Sequence, residues 1–164
     1  VTIEELAAIG TEAGALLKAR GETLAVVDGA TGGLMSAGLL AMPGASAFFL
    51  GSGVIYTLKG RRIVLGHEPG SLRGLISATE SYALAQADLI RKRYGADWGL
   101  AETGAAGPGT HPLGVPSGTS AVAVVGPGVS ASAMVSTGSE ERLANMTAFA
   151  RAGLMLLRDT LAAR

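Results

Sequence analysis

The segment Val26-Val27-Asp28-Gly29-Ala30-Thr31-Gly32-Gly33-Leu34 limits the fold more than any other: an apolar run ends in a carboxylate, turns through small residues and enters a second apolar stretch. This order reads as a strand, a tight loop and the start of a helix. Unpaired backbone N–H groups at such a helix start make an anion site, and glycines let a ligand come close to the backbone.

The rest of the chain repeats that alternation. Thr2-Ile3-Glu4-Glu5 has the spacing of a capping box, and Leu6, Ala7, Ile9, Ala13, Leu16 and Leu17 follow a helical period to a stop at Gly21. Thr23 to Asp28 reads as a strand, and Gly32 to Met42 as a helix closed by Pro43. Ser52 to Tyr56 reads as a second strand, followed by a basic helical piece from Leu58 to Leu65. Ser77-Ala78-Thr79-Glu80 is a second capping-box pattern that opens a helix through Tyr94 with its stop at Gly95. Trp98 to Thr103 is expected to be a buried strand, and residues 104–118 a long loop of small residues, a length more often functional than idle. Thr119–Val125 and Ser130–Ser136 read as a hairpin around Gly126-Pro127-Gly128, and Ser139 as the cap of a last helix reaching Leu161.

Strands alternating with helices, then a hairpin and a closing helix, predict an α/β fold: a three-layer α/β/α sandwich around a mixed sheet of about five strands. At 164 residues, residues 1–164 are expected to form one domain. In open sheets of this kind ligands collect beyond the strand ends, where the first glycine loop and the 104–118 loop would converge.

Composition removes several function classes. Thirteen Lys and Arg balance 13 Asp and Glu, and no basic cluster exceeds Arg91-Lys92-Arg93, so nucleic acid is not an expected partner. The chain has no cysteine, which excludes disulfides, thiolate metal sites and a cysteine nucleophile. His67 and His111 have no ligand-like spacing around them, so no metal site is expected. No segment has the roughly 18 uninterrupted apolar residues of a membrane span, and no charged-then-apolar secretory pattern opens the sequence. The expectation is a cytoplasmic protein without a membrane partner.

Five blocks, in order, carry a resemblance to a known family: Asp28-Gly29-Ala30-Thr31-Gly32-Gly33, Gly44-Ala45-Ser46-Ala47-Phe48-Phe49, Gly53-Val54-Ile55-Tyr56, Gly74-Leu75-Ile76-Ser77, and Gly104-Ala105-Ala106-Gly107-Pro108 with Gly118-Thr119. Together they resemble the CinA C-terminal family, the nicotinamide mononucleotide deamidases, whose first block reads Glu-Ser-Cys-Thr-Gly-Gly. The resemblance implies a Ser/Lys amidohydrolase that uses no metal or other cofactor: the serine attacks a carboxamide, and a lysine activates it with help from a tyrosine. It also implies a homo-oligomer and a mononucleotide ligand. A serine hydroxyl is a poor nucleophile until a base accepts its proton, and helix-start amides can stabilise the oxyanion that forms.

Carried over position by position, the tyrosine is Tyr56, the nucleophile position is Gly29 and the lysine position is Arg61. Glycine has no nucleophile, and arginine stays protonated and is no ordinary base. Asp28 stands for the family's glutamate and Ala30 for its cysteine, while Thr31-Gly32-Gly33 is intact. The leading expectation is a kept pocket with weakened or lost deamidase chemistry, binding a small phosphorylated nucleotide through Asp28, Gly29, Ala30, Thr31, Gly32, Gly33, Arg61, Gly104, Ala105, Ala106 and Gly107. The alternative is an active amidohydrolase in which Thr31 or a water attacks and Lys59, three residues from Tyr56, replaces the missing base. A third reading is a non-enzymatic interaction module, since the family's name comes from competence and DNA damage.

Each of these residues also has a plain structural reading. Gly32 and Gly33 permit close packing of helix on strand, and Thr31 can be a cap. Asp28 can be an edge carboxylate bonded to loop amides. Tyr56 can be a packing residue with its hydroxyl at a rim, and Arg61 part of a solvated helix face or a phosphate fork. His111 is read as a surface histidine or a ligand contact.

Overall fold

The computed structural model describes residues 1–164. Its elements, in chain order, are α1 (Ile3–Arg20), β1 (Leu24–Asp28), α2 (Leu34–Leu40), β2 (Phe49–Val54), α3 (Leu58–Leu65), α4 (Glu80–Tyr94), β3 (Trp98–Ala105), β4 (Thr119–Gly126), β5 (Val129–Ser136) and α5 (Arg142–Ala162). The five strands form one sheet in the order β2-β1-β3-β4-β5. β1 runs parallel to β2 and β3, and the β3–β4 and β4–β5 pairs are antiparallel, so the sheet is mixed as expected.

The period-2 alternation of the strands sorts the core into two layers. Leu24, Val26, Trp98, Leu100 and Val124 point to one face, where they pack with Leu6 and Leu17 of α1, Met35 and Leu39 of α2, and Leu154 and Leu157 of α5. Ala25, Val27, Ala101, Ala121 and Ala123 point to the other, under Leu65 of α3 and Ala83, Ala87 and Ile90 of α4. The second face is built from small residues because α4 lies almost on the sheet: a Cβ at Gly99 would come within 1.9 Å of the Ala87 carbonyl oxygen. No helix is long and apolar enough to cross a membrane.

Local signals set most boundaries. Thr2 and Glu5 form the reciprocal capping box of α1, and Gly21 ends the helix in the left-handed conformation. Several edges differ from expectation, each for a visible reason. α2 begins at Leu34, not Gly32, because Gly32 and Gly33 have φ of 64° and 101°, outside the helical region. β2 spans Phe49–Val54 instead of 52–56, since its register with β1 starts at Leu24 opposite Phe49; the Ile55 N–H makes a last bond to the Asp28 carbonyl of β1, and Tyr56 lies beyond the strand. β3 continues through Gly104 and Ala105, which pair with Ser120 and Thr119, so the loop is shorter at its start than the sequence implies. Thr79, not Ser77, caps α4. Glu141, not Ser139, is the cap residue of α5, and the Ser139 hydroxyl accepts from the Glu141 N–H at 3.0 Å.

Candidate functional site

Where β1 ends, Asp28 turns its carboxylate over the loop that follows. Oδ1 accepts from the Thr31 hydroxyl at 2.7 Å and the Met35 N–H at 3.0 Å, and Oδ2 from the Ser36 hydroxyl at 2.6 Å and the Ser36 N–H at 3.2 Å. Asp28 and Thr31 are fully buried. The chain's own carboxylate thus engages first-turn donors of α2 that an external anion would use. The Thr31 N–H donates to Glu102 Oε2 at 3.0 Å, and the Gly32 N–H to the Gly29 carbonyl at 3.1 Å.

Glu102 is a buried carboxyl on β3 that the sequence reading passed over. A charged residue inside the small and apolar run Trp98–Ala106 was the available signal. Burial pushes it up to about 7, against hydrogen bonds from Ser120 and Thr31 that pull it down, and the nearby Asp28 pushes it further up. The network suits the protonated form. Glu102 Oε1 shares a hydrogen bond with the Ser120 hydroxyl, whose oxygen also lies 3.1 Å from the Thr103 carbonyl, so a Glu102 O–H can donate to Ser120 while Ser120 donates onward.

The same strand closes over Gly29. A Cβ there would come within 2.5 Å of the Glu102 carbonyl oxygen and 3.2 Å of Glu102 Oε2. Backbone and carboxyl occupy the space where any side chain at position 29 would begin.

Beyond the ends of the three parallel strands lies a cavity of about 630 Å³. Its wall takes Ala30 from the first loop, Ile55 and Tyr56 from the end of β2, Tyr82 and Gln86 from α4, and residues 103–113 from β3 and the following loop. The two glycine-bearing loops therefore meet, but Ala30 is the single residue of the 28–33 loop on the wall, and Gly104, Ala105, Ala106 and Gly107 line the other side. No Asp or Glu is among the lining residues, while Arg142 and His111 are. Arg142, at the first turn of α5, donates to the Gly107 carbonyl and, at 3.1 Å, to the Tyr56 hydroxyl, bridging the two sides of the cavity. None of the chain's ion pairs involves it.

A family model described as the CinA C-terminal domain matches residues 6–161. The chain belongs to the CinA C-terminal domain family. A CinA-like protein of Gloeobacter violaceus is 34% identical over 132 residues, covering 80% of this chain and 31% of that protein. Another, from Desulfosudis oleivorans, is 34% identical over 154 residues, covering 94% of this chain and 37% of its own length. The chain thus spans about a third of the curated relatives it matches. Among solved structures, a competence-damaged protein (CinA) superfamily protein from Klebsiella pneumoniae superposes with a TM-score of 0.87 at 25% identity, covering 97% of this chain and 99% of the other. The competence/damage-inducible protein CihA from Agrobacterium tumefaciens gives 0.86 at 24% identity over 96% of each chain.

In this CinA C-terminal domain, neither Gly29 nor Arg61 lies on the cavity wall. Arg61, on α3, donates through Nη1 to the Tyr82 hydroxyl at 2.8 Å and sits over the Tyr82 ring, 5.6 Å from its centroid. Tyr56 is on the wall and 73% exposed. Lys59 is exposed on α3 and is not a wall residue. Asp28, Thr31, Gly32 and Gly33 also lie off the wall. Arg142, Tyr82 and Gln86, which no sequence motif singles out, lie on it. Tertiary packing alone distinguishes Tyr82 and Gln86 from other helix residues. There is no group of three or more His, Cys, Asp or Glu side chains placed to hold a metal ion.

Proposed function

We propose that this chain binds a small phosphorylated metabolite of mononucleotide size in the cavity beyond β1, β2 and β3, and that the serine–lysine deamidation implied by its family resemblance is lost. The observation that carries the binding half is Arg142, a guanidinium without a carboxylate partner at a cavity whose wall holds no Asp or Glu. A guanidinium in a carboxylate-free cleft favours a phosphate, to which it can donate in a fork. The cavity volume is in the range of small-molecule sites.

The loss of chemistry is supported by the closure over Gly29 and by the engagement of Arg61 with Tyr82. Thr31 is an unsuitable substitute nucleophile, since its hydroxyl is buried and donates to Asp28.

Calorimetry with nicotinamide mononucleotide and adenosine monophosphate, against their unphosphorylated nucleosides, tests the binding half. Phosphate-dependent binding that falls about tenfold or more in Arg142→Ala is expected. Equal affinity for nucleotide and nucleoside overturns it. A coupled ammonia assay with nicotinamide mononucleotide should show no release above the protein-free control; turnover in the ordinary range of about 1–1000 per second restores the enzyme reading.

A further inference from the structure

A protonatable group lies directly behind the cavity wall. Two wall residues, Ala30 and Gly104, are backed by the Glu102 carboxyl. Its Oε2 accepts from the Thr31 N–H at 3.0 Å, the far end of the peptide unit that Ala30 begins, and its Oε1 lies 2.7 Å from where a Cβ of Gly104 would stand. Glu102 is fully buried and is not itself a wall residue, so it acts on the contents of the cavity by charge and not by contact.

Its surroundings do little to compensate a negative charge. Asp28 of β1 sets a second carboxylate against it, while Thr31 of the first loop and Ser120 of β4 face it as neutral groups. No charged group of α2 or α5, which pack on the same side of the sheet, bears on it. Burial first, with Asp28 adding to it, outweighs the hydrogen bonds and leaves Glu102 poised near neutrality, at about 7. An anion in the cavity adds one more negative charge beside this pair. At an effective dielectric of about 20, a unit charge about 12 Å away changes a protonation equilibrium by a factor of about ten. An anion resting on Ala30 or Gly104 lies inside that distance.

Resting on the binding reading above, we propose that anion binding in the cavity is coupled to proton uptake by Glu102. The carboxyl is then a charge regulator of the site and no ligand contact. The complex keeps the proton to a higher pH than the free chain does, so affinity for an anion falls by about tenfold as pH rises from about 6.5 to about 8.5. Uptake is greatest between the two protonation midpoints, near pH 7.5, at about half a proton per ligand. A neutral ligand in the same cavity carries no charge to Glu102 and takes up none.

The test is calorimetric titration of the whole chain with adenosine monophosphate and with adenosine at about pH 7.5, in phosphate-free buffers of different ionisation enthalpy, which counts the protons taken up. At this pH a phosphate monoester, with its second ionisation at about 6, is already a dianion, so uptake belongs to the protein. About half a proton is expected with the nucleotide and none with the nucleoside. His111, on the wall, carries an imidazole that is the competing proton acceptor. His111→Gln is therefore expected to keep the uptake, and Glu102→Gln to lose both the uptake and the tenfold fall in affinity. Melting curves identify a Glu102→Gln that fails to fold, in which case His111→Gln decides.

Phosphate-dependent binding without proton uptake, or uptake that survives in Glu102→Gln or disappears in His111→Gln, overturns the coupling and leaves the binding reading standing. A nucleotide bound no more tightly than its nucleoside, yet taking up the proton through Glu102, does the reverse. Absence of binding by both probes overturns both readings.

Discussion

Two residues depart from the pattern that the family resemblance implies. Gly29 stands where the family resemblance implies a nucleophile, and β3 occupies the space where a side chain would begin, with the Glu102 carbonyl oxygen 2.5 Å from a would-be Cβ. A serine there has to displace backbone as well as fill a hole. Gly29→Ser is therefore expected to lower stability by about 2 kcal/mol, the range for forcing atoms into a packed site, and to gain no ammonia release. Differential scanning calorimetry beside the ammonia assay checks both, and a stable, active variant would show that the closure is soft. Arg61 stands where the resemblance implies a base, and it donates to the Tyr82 hydroxyl at 2.8 Å.

At the scale of elements, α2 is a short helix whose start depends on one side chain. Gly33, at its cap position, makes no side-chain hydrogen bond, and Asp28 supplies the acceptor for the Met35 and Ser36 amides from outside the helix. Asp28→Ala leaves those two amides and the Thr31 and Ser36 hydroxyls without their acceptor, and all three residues that carry these donors are buried. A loss of about 3 kcal/mol or more is expected, read as a lower midpoint in urea unfolding. A change under about 0.5 kcal/mol would mean that water replaces the carboxylate. The loop after β3 works differently. Its 104–107 stretch reaches the cavity because β3 carries it there, paired with β4 as far as Ala105.

Across the whole molecule, Glu102 ties the first loop to the sheet: it receives the Thr31 amide from one side and meets Ser120 of β4 on the other. Its folded value of about 7 lies above the ordinary 4.5, so the native state holds a proton that the unfolded chain releases. The contribution is fully present below pH 4.5 and is lost as pH rises to about 7. A shift of this size corresponds to about 3 kcal/mol across that window. Glu102→Gln keeps an acceptor for Thr31 and a donor for Ser120 without a titrating proton, so its stability should be flat where the wild type declines. Urea midpoints taken from pH 4.5 to 7.5 provide the check, and parallel curves for the two proteins would remove Glu102 from the account.

The layer order was legible in the sequence because it rests on local chemistry. Capping at Thr2 and Glu5, the stop at Gly21, apolar runs of strand length and the turn at Gly126-Pro127-Gly128 each act within a few residues. The five family blocks were legible for the same reason, as short ordered strings, and two of the stretches they single out, Tyr56 and the 104–107 segment, lie on the cavity wall. What the sequence could not specify is which polar groups face the cavity and which are consumed inside the protein. Asp28 and Thr31 look like ligand contacts in one dimension, yet they satisfy each other and the start of α2. Tyr82, Gln86 and Arg142 look like ordinary helix residues, yet the packing of α4 and α5 against the strand ends sets them on the cavity wall. Hydrogen-bond satisfaction is a property of neighbours distant in the chain, such as Thr31 with Glu102, so only the tertiary structure could decide it.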